Sequence, residues 1–407
     1  MLSPAGEPVT LAYDVYCTGN DDPEAPCDVG GTVYFHAGSA GAFQTLPLQV
    51  DTSVGSGRLV ASLPAPPSGG YSYYAFLQNT DTGEAITLPA AGANAPDRIL
   101  PLGAGAVPID LGTHAFGVPA QADARVASAA WGEGATRVGL EDASPAATPI
   151  GASSFDVDAA GNVSVLDEAH RRILRFPAGG GAPTELPLTI NGTIADLALA
   201  PDGSIAVLES ASDGVSKPLL RSFDAAGNEN AEVPISGRTA SQVRATNDGA
   251  LALQYPSAQW MPMTVGGLVL DGAQQETAGS VAGSASADGT QVLELRLGNE
   301  LRVATLGSGV LKRSWRMTSA TPLAEVQLAQ PLGKKVVVVV RTYTDTQAEF
   351  QVLVLNSSGV LKQFAVPAAD WAETAPLSRF RLVGSSLYQL GSTPSGVFVD
   401  RYDLGVS

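Results

Sequence analysis

The sequence predicts an all-β protein that consists of an N-terminal β-sandwich and a C-terminal six-bladed β-propeller closed by an N-terminal strand. Hairpin-forming units recur through the second part of the chain at intervals of roughly 40–50 residues, which is the period of propeller blades. The chain also contains 45 glycines and 28 prolines, which supply the many turns that short strands require. Hydrophobic residues make up 44% of the 407 residues and charged residues 15%, a composition typical of folded globular proteins.

Residues 1–112 are predicted to form the sandwich. Clusters of proline, glycine and serine separate several short strand candidates, and Tyr71–Gln78 has the aromatic density of a central strand. Such spacing is typical of an immunoglobulin-like or fibronectin-like sandwich. The glycine- and alanine-rich run 103–106 then precedes the second domain. The strand candidates are Val9–Tyr16, Thr32–His36, Phe43–Val50, Arg58–Leu63, Tyr71–Gln78 and Ala85–Leu88.

The chain has two cysteines, Cys17 and Cys27, which bracket a polar loop. This spacing favours a local disulfide, and a disulfide favours a secreted or cell-surface protein. Two unpaired thiols in a cytosolic protein are the alternative. The first residues lack the basic and apolar regions of a signal peptide, so we expect that the chain begins after a removed signal or anchor.

Residues 113–407 are predicted to form the propeller. The first blade is the clearest: an apolar strand ends at Val157, the turn around Gly161 follows, and two further strands reach Phe176 before a fourth at Thr184–Leu188. In the fifth unit, Val336–Val340 is an uninterrupted β-branched run, which predicts a strand buried on both faces. The turn glycines that mark the six units are Gly161, Gly203, Gly249, Gly289, Gly333 and Gly384.

The last unit contains only three strand candidates, Phe380–Val383, Ser386–Leu390 and Val397–Asp403. A three-stranded blade would leave a sheet edge exposed. The segment Ala135–Leu140 lies before the first complete blade and has no partner of its own. We therefore expect this segment to supply the missing fourth strand and to close the ring.

The residues Gly161–Asp167, followed by Arg171–Phe176, resemble the repeats of NHL propellers. The preceding Trp131–Gly134 and Val138–Leu140 look like the lead-in segment of secreted bacterial members. This resemblance implies a six-bladed fold. Enzymatic relatives include lactonases and phosphodiester hydrolases with a metal at the channel mouth, zinc-dependent amidating lyases and quinoprotein dehydrogenases, but a shared fold does not transfer an activity.

A polar residue lies at the end of the second strand of each predicted blade. If the blades superpose, these side chains form a ring near the loops that usually carry the ligand, and three carboxylates with an amide could hold Ca²⁺. The alternative is that they cap strand ends or pair with Arg171, Arg172 and Arg341, and an arginine within the ring argues against a bound cation. The ring residues are Asp167, Glu209, Gln254, Glu294, Arg341 and Gln389.

Aromatic residues offer a second set of binding candidates. Tyr255 and Trp260 lie in an enlarged loop of the third blade, and Tyr343 lies in the comparable loop of the fifth. Exposed rings suit contact with a sugar or a peptide, although Trp260 could instead pack as core. The three histidines, His36, His114 and His170, are too few and too scattered for a three-histidine zinc site. We predict no catalytic residue, metal site or cofactor.

The net charge of −17 disfavours nucleic acid and anionic membranes as partners. No apolar run is long enough to span a bilayer. The preferred hypothesis is an exported, non-catalytic binding or structural protein with a protein or carbohydrate ligand. Two alternatives remain open: a metal-dependent hydrolase or lactonase with its site at the channel mouth, and a subunit of a larger extracellular assembly that docks a partner through the N-terminal domain.

Overall fold

The described residues of the computed structural model form β-strands and one short 3-10 helix, Gly92–Asn94. No helix in the described part of the chain is long and apolar enough to cross a membrane. Two compact units are present: residues 1–106 with 276–282, and residues 107–275 with 283–407. The structure describes residues 1–15, 28–53, 57–102, 105–141, 149–190, 192–210, 218–235, 242–245, 251–254, 259–265, 268–269, 281–282, 284–285, 290–307, 310–372 and 378–405.

The first unit contains two sheets that share one hydrophobic core. Residues alternate between the two faces of each strand, so Leu11 and Leu63 of one sheet meet Val33 and Ala75 of the other. The larger sheet comprises Leu2–Pro4, Asp97–Leu102, Tyr71–Asn79, Val29–Ala37, Gln44–Pro47 and Ala85–Leu88. The smaller sheet comprises Val9–Asp14, Arg58–Leu63 and Gln49–Val50.

The second unit is a ring of six sheets, called blades 1 to 6 in chain order. Blade 1 comprises Ser154–Val157, Val163–Asp167, Arg172–Phe176 and Thr184–Pro187. Blade 2 comprises Thr193–Leu199, Ile205–Ser210, Leu219–Phe223 and Glu229–Pro234. Blade 3 comprises Gln242–Ala245, Leu251–Gln254, Gln259–Pro262 and Val281–Ala282. The short strands Thr264–Val265 and Leu268–Val269 pair with each other.

The remaining three blades have longer strands. Blade 4 comprises Ser284–Ala285, Thr290–Leu297, Glu300–Gly307 and Val310–Thr318, with Val107–Asp110 added in parallel. Blade 5 comprises Leu323–Leu332, Lys335–Tyr343, Ala348–Asn356 and Gly359–Pro367. Blade 6 comprises Phe380–Val383, Ser386–Thr393 and Gly396–Asp403, with Ala124–Ala130 added antiparallel.

Apolar side chains between neighbouring blades hold the ring together. One core cluster joins blades 6 and 1, others join 1 to 2, 2 to 3, 4 to 5 and 5 to 6, and Gln259–Pro262 of blade 3 lies beside Ser284–Ala285 of blade 4. The first strands of successive blades contact one another from blade 4 round to blade 3, so they line the centre. Val336–Val340 is buried on both faces, as the sequence predicts.

The closing strand is Ala124–Ala130, so the prediction that Ala135–Leu140 closes the ring is wrong. Ala127 and Ala129 are buried against blades 6 and 1, and Ala129 pairs with Val397. Residues 135–140 instead turn back over blade 1, where the amide of Gly139 donates to Asp167 at 2.9 Å. The sequence hides the true strand because alanine has a low β-propensity.

Residues 107–130 form a strap along the outer edges of three blades. The strap begins as the outer strand of blade 4, although the sequence groups its first residues with the N-terminal domain. It then crosses blade 5, where the amide of Ala120 donates to the carbonyl of Ala365 at 2.8 Å. His114 Nε2 lies 2.7 Å from a carboxylate oxygen of Glu349, and the amide of Gly117 donates to the other oxygen at 2.8 Å. The strap ends as the closing strand of blade 6.

Candidate functional site

Asp167, the first residue of the predicted ring, is buried and fully engaged within blade 1. Its Oδ1 accepts from the amide of Gly139 at 2.9 Å, and its Oδ2 lies 2.9 Å from both His170 Nδ1 and Arg172 Nε. Burial opposes the charge on His170, but its hydrogen bond to Asp167, the negative charge of Asp167 and its hydrogen bond to Glu133 raise the pKa of His170 overall. Asp167 therefore anchors the segment that precedes the blade.

Glu209 plays the same part in blade 2. Its Oε1 accepts from the amide of Gly192 at 2.7 Å, and its Oε2 accepts from Arg221 Nε at 2.6 Å. Arg221 continues outward to Glu229 and Glu232 on the fourth strand. The acid at the end of the second strand thus ties down the loop that leads into its own blade, which is the strand-capping role that the sequence left open.

The other ring residues have different surroundings. The amide nitrogen of Gln389 donates to the carbonyl of Pro367 at 2.6 Å, and its oxygen accepts from the hydroxyl of Tyr402 at 3.2 Å. Arg341 lies 3.7 Å from Glu325. The side chain of Gln254 lies outside the described part of the structure. Among the side chains that are described, no hydrogen bond or ion pair joins two members of the ring.

Four of the remaining sequence candidates cannot be placed in full. Tyr255, Cys17 and Cys27 lie outside the described residues, and Trp260 is described only as part of a backbone strand. Tyr343 ends the second strand of blade 5 and has 41% of its surface exposed. Within the described ranges, no three His, Cys, Asp or Glu side chains converge as a metal site would require.

A buried polar cluster lies on the innermost strands of the propeller and joins charged residues of four blades. We call it the channel cluster. At its centre is Asp196 of blade 2, which is fully buried. The pairing register shifts between Ile194 and Asp196, and the carboxylate of Asp196 contacts residues of three other blades. The cluster consists of Ser154 and Asp156 of blade 1, Asp196 of blade 2, Arg244 of blade 3, and Ser378 and Arg381 at the start of blade 6.

Five donors surround the carboxylate of Asp196. Its Oδ1 accepts from the hydroxyls of Ser154 and Ser378 (2.8 Å for the latter) and from Arg381 Nη2 at 3.3 Å. Its Oδ2 accepts from the amide of Val243 and from Arg244 Nη1, both at 2.8 Å. Asp156 adds a second carboxylate 3.3 Å from Arg381 Nε. Two carboxylates therefore balance two guanidinium groups.

The electrostatics of the channel cluster favour the charged state of its central acid. Burial disfavours the carboxylate of Asp196, but the charges of Arg244 and Arg381, with hydrogen bonds from Ser154 and Val243, lower its pKa overall. Burial, assisted by the nearby charge of Arg381, lowers the pKa of Arg244 to about 10. Because internal donors occupy the lone pairs of Asp196, the cluster is built to join four blades rather than to bind an ion.

Sequence reasoning missed the channel cluster. The available signal was a charged residue inside an otherwise apolar first strand, as in Ile194–Leu197 and Phe380–Val383. Such a residue indicates a buried pair or network, but its partners come from other blades and could not be identified from one strand.

Glu294 of blade 4 is the exception among the ring residues. Its cross-strand partner is the buried Val303, which in turn pairs with the buried Trp315 on the next strand. No described residue hydrogen-bonds to the buried Oε2 of Glu294, and burial raises the pKa of this carboxyl to about 8.

Replacing Glu294 by Gln is expected to stabilise the protein at alkaline pH. A raised pKa means that the folded state holds the proton more tightly than the unfolded state, so the cost of Glu294 grows as the pH rises from about 4.5 to 8. The gain should therefore be small at pH 4 and reach about 1–3 kcal/mol above pH 8. Urea unfolding of the Glu294→Gln variant and the unchanged protein across this pH range measures the difference in unfolding free energy. The matched control is Glu325→Gln, at an acid that is 57% exposed, and an equal gain at all pH values would contradict the expectation.

Comparisons with known proteins identify no family for this chain. No protein-family model matches the sequence, and no curated protein matches it. Several solved structures are similar in part. They include the hydrazine synthase of Kuenenia stuttgartiensis (13% identity, TM-score 0.38, covering 59% of this chain and 76% of that chain). A second is virginiamycin B lyase from Staphylococcus aureus (10% identity, TM-score 0.36, covering 61% of this chain and 94% of that chain). A third is the PQQ-bound aldose sugar dehydrogenase of Streptomyces coelicolor (12% identity, TM-score 0.38, covering 70% of this chain and 100% of that chain). At these TM-scores we draw no functional argument from them.

Proposed function

We propose that this chain is an exported, non-catalytic binding or structural protein. Its NHL-like propeller serves as a platform for a protein or carbohydrate ligand, and its N-terminal unit, of immunoglobulin-like type, offers a second surface to an assembly partner. The observation that supports this proposal is the occupancy of the buried acids: Asp167, Glu209 and Asp196 all accept hydrogen bonds from donors of their own propeller.

These hydrogen bonds disfavour catalysis, because a catalytic carboxylate in a propeller channel must be able to bind a metal ion or accept a proton. A metal ion requires free carboxylate oxygens, and a general base must release one hydrogen bond to accept a proton. Asp167 and Glu209 are each held by an arginine and a backbone amide, so freeing either acid would leave an arginine without its partner. This arrangement favours a rigid scaffold, which presents binding residues on its loops.

Millimolar Ca²⁺ or micromolar Zn²⁺ is expected to leave the melting temperature unchanged, and so is exhaustive chelation. A ligand that binds only the folded state raises the melting temperature by mass action, and the arginine-bound acids leave no room for such a gain. Differential scanning calorimetry with each metal tests this. If either metal raised the melting temperature by several degrees and Glu209→Gln abolished the rise, the hydrolase alternative would replace the proposed function.

Binding itself is tested separately with panels of immobilised oligosaccharides and synthetic peptides. We expect the purified full chain to retain at least one class of ligand. Failure to bind any member of either panel would count against the platform role and in favour of a purely structural one.

A further inference from the structure

Two tryptophans meet at the surface where blade 6 adjoins blade 1. Trp131 follows the closing strand, and Trp371 lies in the loop between blades 5 and 6. Their ring centroids are 6.3 Å apart. Trp371 is 39% exposed, and Ile150 beside them is 43% exposed. We call Trp131, Ile150 and Trp371 the tryptophan patch.

The tryptophan patch is held rigidly from below. Trp131 Nε1 donates to the carbonyl of Thr393 at 2.8 Å. Gly151 lies against the same ring so closely that a Cβ at this position would come within 2.7 Å of it. The amide of Ala372, next to Trp371, donates to the hydroxyl of Ser392 at 2.9 Å. Trp371 therefore packs on a fixed neighbour, and little side-chain entropy remains to be lost when a ligand covers it.

Carboxylates outnumber exposed cations around the tryptophan patch. Glu133 is 94% exposed and lies 3.1 Å from His170 Nε2. Glu141 pairs with Ile150 through a β-bridge, and Asp370 directly precedes Trp371. The exposed Arg137 donates from Nη1 to the carbonyl of Trp131 at 2.9 Å. Arg379 lies beneath Asp370 but is almost fully buried, with a guanidinium nitrogen 3.7 Å from that acid. The cavity beside Asp370 and Ala372 has a volume of about 10 Å³, enough for one water molecule. A ligand must therefore lie across the surface rather than enter a pocket.

We propose that the tryptophan patch docks a basic, extended peptide segment of a partner protein, with a Lys or Arg side chain over the ring of Trp371. A cation is attracted to the face of an indole ring, and the surrounding carboxylates and the net charge of −17 complement a basic chain and repel an acidic one. This inference rests on the proposed function, because it names the chemistry of one ligand of the platform.

The test uses the full chain and a fluorescein-labelled peptide of about ten alternating Lys and Leu residues, which spans roughly 33 Å when extended. A matched peptide carries Glu in place of Lys. We expect fluorescence anisotropy to show binding of the Lys peptide alone, weakening as salt rises. Trp371→Ala should weaken binding about tenfold and Glu133→Gln about threefold. Leu361→Ala, at an apolar residue of blade 5 that is 47% exposed, should have no effect.

The inference would be overturned if the Trp371→Ala variant bound the Lys peptide as tightly as the unchanged protein and had the same melting temperature. An unaltered affinity of the Glu133→Gln variant, which leaves the aromatic rings intact, would also overturn it. If a neutral oligosaccharide bound in a Trp371-dependent manner while the Lys peptide did not, the peptide proposal would fail and the platform role would stand. A metal-dependent rise in melting temperature would count against the proposed function without any change in these affinities.

Discussion

Replacing Asp196 by Ala is expected to destabilise the propeller more than any other single substitution in the channel. The change removes the acceptor of five donors and leaves Arg244 and Arg381 buried with one carboxylate, Asp156, between them. Breaking a buried ion pair on one side typically costs about 3–5 kcal/mol, because an uncompensated charge stays in the interior. Urea unfolding followed by circular dichroism measures the loss.

The matched control for this substitution is Asp202→Ala in the same blade. Asp202 also accepts hydrogen bonds, from the amide and hydroxyl of Ser204, but it lies in an exposed turn. Its loss should cost about 0.5–1.5 kcal/mol. Adding Arg381→Met to Asp196→Ala should recover part of the stability, since an apolar side chain of similar length removes one unpaired charge. A similar cost for Asp196→Ala and Asp202→Ala would show that the channel cluster does not join the blades.

Replacing Gly396 by Ala is expected to open the ring at its closing strand. A Cβ at this position would lie 2.1 Å from the carbonyl oxygen of Ala129 and 3.0 Å from the Cα of Ala130. Both are backbone atoms, so the closing strand must shift rather than a side chain. We expect a loss of about 2–3 kcal/mol and faster tryptic cleavage after Arg125, which lies within that strand.

Gly384→Ala in the same blade is the control: it adds a methyl group at a glycine with positive φ but creates no clash with another strand. Gly384 has a φ of +57° and nothing within 4 Å of its Cβ position. This variant should therefore lose only about 1 kcal/mol, without a change in cleavage after Arg125. If both variants behaved alike, the contact between Gly396 and the closing strand would contribute nothing to closure.

The sequence is most informative where one hairpin carries its own signal. The turn around Gly161 and the valine run of blade 5 identify their strands because local spacing and β-branched residues decide them. The closing strand could not be predicted from such local signals. Ala129 and Ala130 approach Gly396 closely, and this requirement for small residues can be recognised only when both strands are placed.

The candidate site shows the same division. The ends of the second strands could be located from the repeat, and Asp167 and Glu209 lie there as expected. Their hydrogen-bond partners could not be predicted, because Gly139 and Gly192 contribute backbone amides from preceding loops. The partners of Asp196 are still more distant, since Ser378 and Arg381 lie more than 180 residues further along the chain.

During synthesis on the ribosome, the last strand of the strap emerges long before the strand with which it pairs. This last strand carries Arg125, whose partner Asp400 is 275 residues further along the chain. At elongation rates of about 5–20 residues per second, that partner emerges roughly 14–55 s later. Throughout this interval the strand lacks its native strand partner and is open to pairing with the wrong edge. Its alanine-rich sequence is a poor strand former in isolation, which disfavours pairing with a wrong strand before Asp400 is synthesised. The low β-propensity that makes this strand hard to predict therefore also protects the nascent chain from mispairing.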